Sequence, residues 1–283
     1  GDVIVYVDSV NGTDSLDKGF GTGTDAFKNF SYALASVPKS GSGAILAFYL
    51  SGTFDPNIEG VVNFEILGYS WGTVELHGEF TVYDSGNLTS YVKGTTTTRG
   101  SITDTSKAWT TNQWEGYFVK TLMATGVTYS HPIYSNTSNT LTIVGVFNGT
   151  NTPVLAYEIV KMATKIDYTG ATALGSVITI YPLQYVEMYN LDLSPTTGVS
   201  NTVITSLNAS TTSLFECSSD RDAGFSLPNT GNLSIVRSYI VSRSTITGSP
   251  GGSINFQNSY IIGKGTKAYT GCIASQFGNI GSN

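Results

Sequence analysis

Charge is scarce in this chain. Of 283 residues only 12% are Asp, Glu, Lys or Arg, and 14 basic side chains face 20 acidic ones, a formal net charge of −6. No basic stripe exists to neutralise phosphates, which excludes nucleic acid as a partner. No run of about 18 apolar residues occurs, so no helical membrane span is expected. Two cysteines and two histidines do not build a Cys/His zinc cluster, and no GxSxG marks a nucleophile elbow. No signal peptide opens the chain at Gly1, as in a mature extracellular protein or an excised fragment. Lys is sparse while Ser, Thr, Asn, Gly and Tyr abound, a composition that favours strands and loops over helices.

What the chain does have is a repeat. SINFQNSYIIG (253 to 263) lies on LSIVRSYIVS (233 to 242) at a step of 21 residues: Phe256 on Ile235, Ser259 on Ser238, Tyr260 on Tyr239 and Ile261 on Ile240. The same step forward puts Phe277 on Phe256, Asn279 on Asn258 and Ile280 on Ser259. The step back reaches Leu214 and Cys217, and a further step of 26 reaches Met188 and Leu191. A period in the twenties marks a solenoid. Each copy alternates, skips two residues and alternates again, as in Val186, Met188 and then Leu191, Leu193. Alternation is the mark of a strand with one buried face. A two-residue slip would turn the second half outward unless the chain bends there.

The corner pairs are Tyr189-Asn190, Phe215-Glu216, Val236-Arg237, Gln257-Asn258 and Gly278-Asn279. Asn tolerates the left-handed backbone that a sharp corner demands, so Asn190, Asn258 and Asn279 are expected there. The resulting expectation is an all-β parallel β-helix of about 21-residue rungs, with Ile235 and Phe256 in its inner column. An antiparallel sandwich would have no fixed corner.

Around this template the chain divides into 1–86, a cap and first rungs; 87–165, an inserted β module; and 166–283, the continuation. Strand Val3 to Val7 precedes Phe27, Phe30, Leu34 and Val37 at helical spacing, with Thr24 or Asp25 as N-cap and Pro38 beyond the end. Such a helix would cover an open end of the coil. The insert reads as antiparallel hairpins. The last copy has no cap after Ile280, so a longer protein or a partner is expected to continue it. Cys217 falls on an inner column and Cys272 some two to three rungs away, about 10 to 14 Å, beyond disulfide reach.

The opening strand, its Gly/Asp-rich loop and AFKNFSYALASVPKSGSGAILAFYLSGTF, with Ala26-Phe27, Gly43 and Gly52, resemble the amino-terminal cap and first rung of pectate-lyase-like right-handed β-helix proteins, most of all those of phage tail spikes and tail fibres. DTSKAWTTNQWEGYFV with IYSNTSNTLTI and a closing YEI resembles a recurring module of virion proteins. This resemblance implies a right-handed coil, a virion or extracellular location, other tail subunits as partners, a homotrimer, and a cell-surface polysaccharide as ligand. It carries little about activity. Lyases of this family hold calcium with acidic residues, and glycosidases use paired carboxylates. No cofactor is indicated here, calcium included.

The carboxylates read onto the coil are Glu187, Asp192, Glu216, Asp220 and Asp222. Glu216 shares the corner column with Arg237, where a stacked surface ion pair is the plain reading. SSDRDAG (218 to 224) is the densest charge cluster: Asp220, Arg221 and Asp222 either orient a sugar or cation or form a solvated turn. Asp220, Asp222 and Glu216 are the catalytic candidates. Trp71, Arg221, Tyr239 and Tyr260 are the binding candidates, since aromatic faces suit sugar rings. Trp109 and Trp114 are expected to pack the insert, and His77 and His131 to be structural or exposed. Seven N-x-S/T sequons (Asn11, Asn29, Asn87, Asn136, Asn148, Asn208, Asn232) matter only in a glycosylating host. Outward Tyr189, Phe215, Val236 and a Tyr239–Tyr260 ridge favour trimerisation. Three functions fit: a tail spike or fibre component recognising a glycan, a polysaccharide-degrading enzyme of the same fold, or a cell-surface adhesin.

Overall fold

The computed structural model describes residues 1–38, 43–67, 71–95, 98–123, 126–147, 153–169, 176–182, 184–194, 196, 202–207, 210–219, 224–227, 231–242, 247–248, 253–263, 273–277 and 280–282. The chain is mostly β, with one α-helix among these residues. No described helix is long and apolar enough to cross a membrane.

Three sheets are wholly parallel. The largest orders Val3–Asp8, Ile45–Ser51, Thr73–His77, Tyr185–Tyr189, Thr211–Phe215, Asn232–Val236, Ser253–Gln257 and Ile273–Phe277. A second runs from Thr53–Phe54 through Thr164–Ile166, Leu191–Asp192, Ser218–Ser219, Tyr239–Ser242 and Tyr260–Gly263 to Ile280–Ser282. The third joins Phe64–Ile66, Ser176–Ile180, Thr202–Ser206, Gly224–Leu227 and Thr247–Gly248. From Tyr185 to Gly248 the chain visits the first, second and third sheets in fixed rotation.

In-register pairing stacks Val5, Phe48, Leu76, Met188, Leu214, Ile235 and Phe256 into one line. All are buried, with Ile235 at 0% and Phe256 at 2% exposure. The repeat is therefore a column of apolar side chains removed from water, worth about 1.5–3 kcal/mol each.

The corners explain the two-residue slip. Asn190, Glu216, Arg237 and Asn258 have φ of 59°, 56°, 46° and 49°. The bend is thus left-handed at every described copy, even where a costly residue occupies it. A bend breaks the backbone ladder, and the next residue repairs it. Ser238 Oγ accepts the Cys217 N–H (3.1 Å) and donates to the Val236 carbonyl (3.0 Å). Ser259 Oγ likewise accepts the Ser238 N–H (3.1 Å). The repeated serine is an internal hydrogen-bond relay for groups that burial would otherwise leave unpaired. Cys217 holds the same place with its thiol toward the Met188 and Phe215 carbonyls. Burial pushes that thiol up to about 12.

Two expectations are corrected. The last copy is shorter than 21: Gln276 pairs with Phe256, Phe277 with Gln257, and Ile280 with Ile261. Asn279 and Cys272 lie outside the described residues. The helix runs Phe30–Ser36 with Asn29 at its N-cap, while Thr24 and Asp25 sit in a preceding 3-10 turn, Gly23–Asp25. Phe27 is not helical and bridges Val7. The orphan N–H groups of the first turn go instead to Glu59, whose carboxylate accepts from Phe30 (3.1 Å) and Ser31 (2.7 Å). Phe30 meets Phe48, Phe54 and Phe64, one from each parallel sheet, at centroid distances of 5.4, 6.1 and 5.0 Å. The helix thus stoppers the interior.

Antiparallel strands occupy 80–162, in the order Phe80–Asn87, Pro153–Met162, Phe118–Met123, Thr128–Asn136, Thr140–Ile143, Ser101–Thr103 and Ser90–Val92. The two outermost strands are joined by Leu88 and Thr89 alone. The sheet must therefore curl until its edges approach. Inside the curl lies a separate core of Leu88, Ile102, Trp114, Val119, Ile133 and Phe147 with their neighbours. Trp114 packs in this core and Trp109 packs against it, as the sequence suggested.

Candidate functional site

The residues singled out from the sequence scatter. Asp220, Arg221 and Asp222 lie outside the described residues. Trp71 is buried beside the cap, with its indole N–H on the Pro38 carbonyl (3.1 Å). Tyr239 is 9% exposed and packs against Phe118, Val160 and Met162 of the antiparallel unit. Tyr260 stacks at a tilt on Tyr239 and meets Tyr134 edge-on at 5.5 Å. The tyrosine ridge exists but is covered by the chain's own insert.

The Glu216–Arg237 pair also lies there rather than on open surface. Arg237 Nε reaches Glu216 Oε1 at 3.0 Å, with side chains 16% and 14% exposed. Ser130 donates its backbone N–H to the same Glu216 oxygen (3.1 Å), and the Arg237 guanidinium lies over Tyr129 at 4.7 Å. Asn258, the next corner, abuts Gly145, where a Cβ would fall 2.4 Å from its Oδ1. The left-handed corners form the rail that carries the insert.

A different cluster is half-buried but reachable from solvent, with the His77 and Glu75 side chains 21% and 20% exposed. On the outward face of the largest sheet, Tyr6, Tyr49, His77, Tyr189 and Phe215 stack in register. Centroid spacings are 5.5, 4.7, 4.7 and 4.9 Å, and the His77–Tyr189 planes differ by 2°. Two residues before His77 and Tyr189, on the same face, stand Glu75 and Glu187. They pair across adjacent strands, so their backbones are about 4.8 Å apart. His77 Nε2 lies 2.7 Å from Glu75 Oε2, and the Tyr189 hydroxyl donates to Glu187. Burial, then the bond to Glu187, raises the Tyr189 hydroxyl's pKa and keeps it a donor. Next to this ladder opens a cleft of about 150 Å³, lined by Tyr6, Asp8, Tyr49, Ser51, His77 and Glu79.

Chemically the face offers carboxylate acceptors, an imidazole and ring edges. Mutual stacking consumes the ring faces of His77 and Tyr189, so their edges and polar tips are what a ligand meets. The local charge is negative, which suits a hydroxyl-rich neutral ligand better than an anion.

The sequence does not announce this cluster, and His77, expected to be structural or exposed, has the Glu75 carboxylate at 2.7 Å. The signal was the shared spacing of Glu75-Leu76-His77 and Glu187-Met188-Tyr189. Period-2 alternation places both outer residues of each triplet on one face. Their adjacency is hidden because the whole insert separates them in sequence. Comparison with known proteins finds no family model and no curated protein that matches the chain.

Proposed function

We propose that the chain is a right-handed parallel β-helix of the pectate-lyase-like, tail-spike kind, and that the outward face around Glu75, His77, Glu187 and Tyr189 binds a cell-surface glycan. The parallel sheets in fixed rotation and the helix across their end support the fold. One observation carries the function: two half-buried carboxylates held side by side by aromatic partners on the outward face beside a cleft. Carboxylates in that setting accept paired sugar hydroxyls, and charge-assisted hydrogen bonds are the strong ones. A virion location and assembly as a homotrimer belong to the same proposal. The covered tyrosine ridge no longer argues for the trimer.

The test is calorimetric titration of the intact chain with neutral cell-surface oligosaccharides. Binding that is lost in Glu75→Gln/Glu187→Gln, with an unchanged melting curve, supports the reading. Binding that survives both substitutions overturns it. A second reading, hydrolysis of the same glycan, rests on the carboxylate spacing. Neighbouring strands put the two groups near the roughly 5 Å separation of retaining glycosidases. Release of reducing ends by the wild type and not by Glu187→Gln distinguishes cutting from binding.

A further inference from the structure

Next to the contact between insert and parallel sheets lies one buried side chain without a polar partner. His131, in strand Thr128–Asn136, is fully buried, and neither ring nitrogen has a hydrogen-bond partner. Its ring meets Phe147 edge-on at 5.0 Å and Tyr129 at 6.5 Å. It adjoins Ser130, whose N–H hangs from Glu216, and Tyr129, whose ring lies against Arg237. The charged groups facing it are Arg237 and, one contact further, the Glu216 that Arg237 engages. No described carboxylate pairs with the imidazole. A neutral imidazole fits this place. An imidazolium does not, because it would be dry, unpaired and close to a guanidinium.

We propose that the antiparallel unit is an acid-released arm, in which protonation of His131 undoes the hold of strand Thr128–Asn136 on the left-handed corners. In the docked state burial, then the Arg237 charge, holds His131 down to about 3, against an ordinary 6.5. A depressed histidine contributes its full hold above 6.5 and loses it as pH falls toward 3. Each unit below 6.5 costs up to a tenfold shift toward release, so pH 5 shifts the ratio by about thirtyfold. The corner contacts concentrate the loss here: Glu216 and Arg237 meet the insert at Ser130 and Tyr129, the two residues before His131.

The test is hydrogen exchange of the intact chain at pH 7.5 and pH 5.0, corrected for intrinsic rates. Protection of Thr128–Asn136 should fall about thirtyfold while Thr211–Phe215 and Asn232–Val236 keep theirs. Equal protection of the insert at both values overturns the proposal, as does a parallel loss across those two strands. His131→Phe should abolish the acid response, and a response that persists contradicts it. Should that variant fail to fold, the wild type decides through its histidine C2 protons, of which there are only two sets. Neither set resisting protonation down to pH 5 overturns the proposal.

Discussion

The parallel sheets and the antiparallel unit solve one problem by different means. In the parallel region each strand's partner is the next copy of its own template, so a polar break recurs and is answered once, by the serine relay at Cys217, Ser238 and Ser259. In the antiparallel unit every contact is individual. Tyr157 donates to Asp104 at 2.8 Å within the buried rim, while Trp114 Nε1 and both His131 nitrogens stay unpartnered. Unpartnered buried atoms also occur in the parallel region, at Gln184 Oε1, Asn190 Oδ1 and Ser218 Oγ, but of these exceptions the His131 imidazole is the one that can take up a proton. Exceptions are where stability responds to conditions.

The largest expected effect lies in the parallel column. Phe256→Ala should cost about 3–5 kcal/mol in a denaturant titration if the site fails to collapse. A cost under about 1 kcal/mol would show that the column is not close-packed. Arg237→Ala comes next, at about 2–3 kcal/mol, because Glu216 is left mostly buried without its cation. The loss should fall on the antiparallel unit first, as read by Trp109 and Trp114 fluorescence, and a loss confined to the parallel strands would break the comparison.

Acidity separates the regions by sign. From pH 7 to 5, docking of the insert should weaken by about 2 kcal/mol through His131, since some 1.5 units of that interval lie below its free value. Glu59 behaves oppositely. Burial, outweighing its bonds to Phe30 and Ser31, raises its pKa. A raised carboxyl costs stability at neutral pH and recovers it as pH falls through the folded value. Helix Phe30–Ser36 should therefore keep or gain protection while Thr128–Asn136 loses it. Loss at both sites alike would contradict the assignment. The smallest effect is at the corner. Asn258→Ala should cost about 1 kcal/mol for its left-handed backbone, and Asn258→Gly close to nothing. Equal costs for the two would mean that backbone strain is not what selects Asn.

Legibility followed the same divide. The columns through Ile235 and Phe256 and the bends at Asn190 and Asn258 could be read because spacing alone specifies them. The bends at Glu216 and Arg237 were assigned by position, though neither residue type favours positive φ. The last copy escaped because its register has already slipped by one residue at Ile273, which pairs with Ser253, while its letters still match the template at a step of 21. What covers Tyr239 and Tyr260 was not readable, since antiparallel pairing across Pro153–Met162 and Phe118–Met123 has no period to follow. The Glu75–Glu187 face was hidden for a simpler reason: strand neighbours 112 residues apart look unrelated until the insert between them is recognised as an excursion.

The central claim is that the corner residues carry the insert. A double-mutant cycle between Tyr129→Leu and Arg237→Ala measures it directly, because their contact at 4.7 Å joins the two regions. The account predicts a coupling of about 1 kcal/mol in the unfolding free energy of the antiparallel unit. Strict additivity would contradict it and leave the insert resting on the parallel sheets without being held by them.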